Sequence, residues 1–176
     1  RSILLSITRG NLAIFAGGKG STRRYHKRLM WASASFAIMA DLAMAVLGGG
    51  LKTKEKITGR FADIFSWMFI ATAVLRRFEA EGRRREDLPF LHYSMTHAFG
   101  EIQRAFDGLF GNFKVPGLTW FFKVVIGGWS NLNTFVGPVN DDHTHNIAAV
   151  AITPSALRDR LTDGIYLPTD KTEALG

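Results

Sequence analysis

The sequence predicts an all-α protein, an antiparallel up-and-down helical bundle with an irregular C-terminal extension. One observation is the segment Leu29–Leu51, LMWASASFAIMADLAMAVLGGGL, which is apolar on every side except for the carboxylate of Asp41. A second is that two further segments repeat apolar residues in alternating steps of four and three, as an a/d seam does. They are Ile57, Phe61, Ile64, Met68, Ala71, Leu75 and Phe78, and then Leu91, Met95, Ala98, Ile102, Ala105 and Leu109. A third is that glycines 48–50 and the charged block 83–87 punctuate the three segments, so short turns join long helices.

A helix that is hydrophobic all round is either a core helix or a membrane span. Asp63 cuts the apolar run of Phe61–Leu75 short of the roughly 20 residues a span needs, and the third segment carries Glu101, Arg104 and Asp107. Leu29–Leu47 is therefore expected as the inner helix of a soluble bundle, with a seam of Leu29, Ser33, Phe36, Ala40, Ala43 and Leu47.

Three regions follow in order. Residues 1–20 form an incoming amphipathic segment, RSILLSITR, and a Gly-rich linker. Its GGKGST lacks the first glycine of a phosphate-binding loop, and no strand leads into it. Residues 21–113 form the bundle. Ser21 or Thr22 is expected to cap helix one, whose first turns hold Arg23, Arg24, Lys27 and Arg28, where the helix dipole favours acids. Gly48–Gly50 ends it with at least one positive φ. Lys52–Lys56 opens helix two, which runs to about Gly82. Asp87 followed by Pro89 starts helix three, which runs to Phe110.

Residues 114–176 are an aromatic and Gly-rich crossover packed on the bundle, with a short helix at 117–126. Two more short helices follow, over Asp141–Ile152 and Thr153–Thr162. The second has Thr153 as cap, Pro154 at its first position and Gly164 at its end.

Composition narrows the function classes. The chain of 176 residues is 47% hydrophobic and 21% charged, which suits a packed domain, and it has no cysteine, which excludes disulfides and thiolate chemistry. Its net charge of +7 is uneven. Residues 1–60 carry 11 Lys and Arg against two acids, a net +9, and residues 61–176 carry 11 against 13, a net −2. A basic first third suits anionic lipid, a phosphate ligand or an acidic protein surface. Nucleic acid is disfavoured because the aromatic and basic residues fall in separate segments.

Candidate sites are few. His143 and His145 are two apart and diverge on a helix, and no Glu-x-x-His pair of a di-iron bundle occurs, so no metal site is assigned. No Ser-His-Asp or lysine nucleophile arrangement is visible, so no catalytic or cofactor-binding residue is assigned either. Asp41 and Asp63 are expected inside the bundle. With the turn at Gly50, Asp41 lies nine residues before it and Arg60 ten after, so a structural ion pair Asp41–Arg60 is expected across the hairpin. Arg23, Arg24, Lys27 and Arg28, together with Trp120, Phe121 and Phe122, are the candidate surface for lipid or a partner.

The ordered set F-A-x-x-A-D at Phe36–Asp41, L-G-G-x-L-K at Leu47–Lys52, E-K-x-x-x-R-x-x-D-x-x-S at Glu55–Ser66 and A-V-L-R-R-F-E at Ala73–Glu79 resembles the C-terminal helical region of the large bacterial acyl-CoA dehydrogenases of fatty-acid β-oxidation. The likeness continues through Glu86–Pro89, Asp141, His145 and PSALRDRLTDGIYLP at Pro154–Pro168. It implies a flavoenzyme that uses FAD, a carboxylate base and an electron-transfer flavoprotein to desaturate a fatty acyl-CoA. Those parts are expected upstream of Arg1, in a catalytic core that this region supports, alone or in a homodimer. The resemblance places the protein in the cytoplasm or at the inner membrane surface. The rival expectation is a stand-alone interaction module or one lying on a membrane surface.

Overall fold

The computed structural model describes residues 20–113 and 141–166. Among these the chain forms five α-helices and no strand: α1 (Arg23–Leu47), α2 (Glu55–Ala80), α3 (Leu88–Asn112), α4 (Asp141–Ile152) and α5 (Ala156–Leu161). The all-α bundle expected from the apolar periodicity is the observed fold. The expected helix at 117–126, the incoming segment and the linker lie outside the described residues.

Short connections make α1, α2 and α3 run up, down and up. Gly48 ends α1 with φ 49°, a backbone state that costs glycine no Cβ clash, and a 3-10 stretch Gly48–Thr53 follows. At the other end Gly82 (φ 86°) and Arg83 (φ 55°) turn the chain left-handed, and the Arg83 N–H returns to the Phe78 carbonyl at 3.0 Å. Pro89 sits in the first turn of α3, where a missing N–H costs nothing.

The seams of α2 and α3 are as the periodicity predicts. Ile57, Ile64, Ala71, Leu75 and Phe78 of α2 are buried, and Phe61 and Met68 pack against the core while partly covered. All six predicted positions of α3 are buried, joined by Phe99, Gln103 and Phe106. The inner helix is therefore α3, not α1. The two faces that lock are those of α2 and α3, with Trp67 edge-on to His97 at 5.2 Å.

In α1 Leu29, Phe36, Ala43 and Leu47 hold the expected seam, while Ala32 and Met39 take the places expected for Ser33 and Ala40. Tyr25, Ala32, Met39 and Ala43 are buried, with Leu29, Phe36 and Val46 packed against them, whereas Ser33 is exposed and Ala40 only half-covered. Phe36 packs edge-on against Phe61 at 5.7 Å and leans on Phe65 at 6.3 Å. A helix apolar on every side marks no face for solvent, so its rotation is chosen by the shape of its neighbours.

Asp41 and Asp63 are both exposed. The buried polar side chains among the described residues are Thr22, Asp87 and Gln103. Asp41 lies two positions, about 200° of helix rotation, from both buried Met39 and buried Ala43. It points away from the bundle, so the expected buried pair with Arg60 does not form.

The C-terminal helices are placed as the sequence suggests, with one correction. α4 spans the predicted residues, and rests on α3. The cap of α5 is Ser155, whose hydroxyl accepts the Arg158 N–H at 3.1 Å. Thr153 instead closes α4, donating its hydroxyl to the Ala149 carbonyl at 2.7 Å. Pro154 thus stands between the two helices, and Gly164 follows α5 with φ 79°.

Candidate functional site

The polar chemistry gathers at one end of the bundle, where α1 begins, α2 ends, α3 begins and Arg160 of α5 reaches the turn between α2 and α3. Three networks meet there. The first joins α1 to α2. Thr22, fully buried, donates its hydroxyl to Glu79 at 3.3 Å, Arg83 donates to the same oxygen at 3.1 Å, and His26 Nε2 stands 3.9 Å from it. Thr22 precedes α1 but makes no side-chain cap bond there. Its hydroxyl serves the neighbouring helix instead.

The second network joins α5 to the turn between α2 and α3. The Arg160 guanidinium donates to Glu86 at 2.6 Å and to Asp87, and its Nε stands 3.9 Å from Glu81. Hydrogen bonding to Arg160 holds the Glu86 carboxyl below the ordinary glutamate value and raises Arg160 above its own. Glu81 is likewise lowered, chiefly by its hydrogen bond from Arg77, whose Nε is 2.7 Å away. Asp87 stands at the start of α3 as expected, yet makes no side-chain cap bond. A buried carboxylate needs a charged partner more than a helix end needs a cap, and Arg160 supplies it.

Beside this network lies a cavity of about 190 Å³. Val74, Phe78, Phe90, Leu91 and Leu161 give it apolar walls, and Glu81, Asp87 and Ser94 give it a polar rim.

The third network joins α1 to α3. Tyr25 is 2% exposed, and its hydroxyl lies 2.6 Å from His92 Nδ1. Arg24 Nη2 donates to the Tyr25 oxygen at 2.8 Å and reaches His92 Nδ1 at 3.1 Å. The Arg24 guanidinium also covers the Tyr25 ring at 4.7 Å, Tyr25 stacks on Phe99 at 6.4 Å, and Arg28 covers Phe99 at 5.9 Å. Burial, then repulsion from Arg24, lowers the Arg28 pKa.

Of the residues singled out from the sequence, Arg24 and Arg28 come together on the face of α1 that meets α3. Arg23 is exposed and Lys27 partly covered on the same two turns. Trp120, Phe121 and Phe122 lie outside the described residues. Asp41 and Arg60 are not brought together. The residues that sequence reasoning missed are Tyr25, Glu79, Asp87, His92 and Arg160. Tyr25 alone carried a usable signal, since it extends the true α1 seam one step before Leu29. Among the described residues no three His, Asp or Glu side chains gather as a metal set.

These features define the class: an all-α bundle whose buried and bridging polar groups tie its own helices together at one end. The whole chain, residues 1–176, matches the family described as acyl-CoA dehydrogenase, C-terminal, bacterial type, and it belongs to that family. No solved structure was found that matches the chain.

Proposed function

We propose that this chain is the C-terminal helical domain of an FAD-dependent acyl-CoA dehydrogenase that desaturates fatty acyl-CoA between the α and β carbons. In this reading the domain supports the catalytic core or a dimer, and the flavin site, the base and the docking site for an electron-transfer flavoprotein lie in an upstream part. The observation that carries it is the family match over all 176 residues. The described residues do not fit a flavin dinucleotide. Among the described residues there is no strand, and so no Gly-rich turn between strand and helix to hold a pyrophosphate.

The test is flavin absorbance, and acyl-CoA oxidation with an artificial electron acceptor, in this 176-residue chain and in the full-length polypeptide. The full-length protein is expected to show both and the domain neither. Stoichiometric flavin on the domain alone overturns the division of labour. A full-length protein inactive on every acyl-CoA tried overturns the dehydrogenase reading.

A second reading has its own support. The stretch Arg23–Thr53 and α2 are each long and apolar enough to cross a membrane, although Asp63 interrupts α2, and few residues of either are buried. On α2, Phe65 and Phe69 are 60% and 69% exposed, with Ile70 beside them. An apolar helix face of this kind suits the acyl boundary of a bilayer, which would place the protein at the inner membrane surface. Sedimentation with vesicles that weakens in Phe65→Ser/Phe69→Ser supports it; absence of vesicle binding by the unaltered chain overturns it.

A further inference from the structure

We propose that Arg24 and Arg28, held by Tyr25, His92 and Phe99, form a binding site for a phosphate-type anion. The two arginines are four residues apart, so their side chains leave α1 on one face, and contacts from both helices fix where they go. Tyr25 and Phe99 stack, with Arg24 over the first ring and Arg28 over the second. Arg24 is further held by its bonds to the Tyr25 oxygen and to His92 Nδ1. The site is thus built from side chains of α1 and α3, not from the helix terminus alone.

Among the described residues no carboxylate lies within ion-pair distance of Arg23, Arg24, Lys27 or Arg28. The acid at this end of α1, Glu79, is taken by Thr22, His26 and Arg83. Like charges four apart on a helix repel, and cations in the first turns oppose the helix dipole. Arg28 is half-buried and carries the effect of both desolvation and Arg24. An anion held by both guanidiniums offsets the repulsion between them and the unfavourable dipole of the helix start. A phosphate suits best, because its several oxygens accept from two planar forks at once.

Two sources share this chemistry, a soluble nucleotide phosphate and a phospholipid head group. The test takes the full chain at constant ionic strength and measures binding of adenosine 3′,5′-bisphosphate by calorimetry. It also measures sedimentation with phosphatidylcholine vesicles containing phosphatidic acid. Arg24→Gln/Arg28→Gln is expected to weaken whichever arm binds by about tenfold or more, as loss of charge-assisted bonds does. Arg24→Lys/Arg28→Lys, which keeps charge and folding but loses the fork, is expected to weaken it by less. The control Lys52→Gln/Lys54→Gln removes the same charge at the far end of α1 and is expected to leave binding within about twofold, since screened surface charge acts within ~10 Å.

Binding of the nucleotide alone supports the site and gives it a soluble ligand; binding of vesicles alone supports it with a lipid head group. The proposal is overturned if neither probe binds, which leaves the cations to an acidic protein surface. It is also overturned if the Gln variants bind as the unaltered chain does, or if the control loses as much as they do.

Discussion

Arg60 of α2 lies across Gly108 of α3. A Cβ added at Gly108 would fall 2.6 Å from Arg60 Nε and 3.1 Å from its Cδ. The absence of a side chain at Gly108 therefore makes the groove in which Arg60 runs over the inner helix. Gly→Ala in a helix interior ordinarily gains about 0.8–1.0 kcal/mol from propensity. Gly108→Ala is expected to gain less than that, because Arg60 must move aside. In an Arg60→Ala background the full gain should return. A double-mutant cycle from denaturant unfolding checks this, and a coupling of zero would show that the two residues are independent.

Asp41 is exposed and forms no ion pair with Arg60. Asp41→Ala is accordingly expected to change stability by no more than about 0.5 kcal/mol, and to add to Arg60→Ala without coupling. A loss of ~3–5 kcal/mol, the cost of orphaning one member of a buried pair, would restore the pairing expected from the turn arithmetic.

The rotation of α1 is open to a paired test. Ala32 is fully buried and Ser33 exposed. Ala32→Leu should overpack the core and cost about 1–3 kcal/mol, whereas Ser33→Leu should stay within about 0.5 kcal/mol. Thermal melts in which the two variants exchange their effects would support the expected seam through Ser33 and Ala40.

Gly48 and Gly49 are neighbours with different backbones, since only Gly48 has a positive φ. Gly48→Ala is expected to cost about 1–3 kcal/mol, the price of a side chain in a sparsely populated region. Gly49→Ala should be close to neutral. Equal effects would mean that the hairpin turn does not depend on the left-handed state.

Acid should loosen the end of the bundle held by α5. Glu81 and Glu86 have folded-state pKa values below their ordinary ones, through Arg77 and Arg160 respectively. A carboxyl lowered on folding stabilises the folded state above its unfolded value of about 4.3, and that contribution is lost as pH falls through the lowered folded value. Hydrogen exchange in α5 should therefore rise on acidification through that range while the α2–α3 core stays protected. Arg160→Gln should remove the part of this pH dependence that Glu86 supplies. Exchange in α5 that does not change with pH would show that the Glu86–Arg160 pair does not hold it.

By itself the sequence determined that the chain is all-α, that three long helices meet through short turns, and which faces of α2 and α3 are buried. In those two helices polar residues mark the solvent side, so the apolar period has one meaning. A positive φ within Gly48–Gly50, Pro89 and Gly164 were legible for the same local reason, since each suits a backbone state other residues resist. The tertiary structure alone decided that α3 is the inner helix, that Ala32 and Met39 of α1 are buried in place of Ser33 and Ala40, and that Asp41 faces outward. It also decided that Thr22 and Asp87 serve Glu79 and Arg160, residues 57 and 73 positions away, in place of capping their own helices. An all-apolar helix carries no mark of its rotation, and pairing between side chains so far apart depends on how whole helices dock, which local propensity and spacing do not specify.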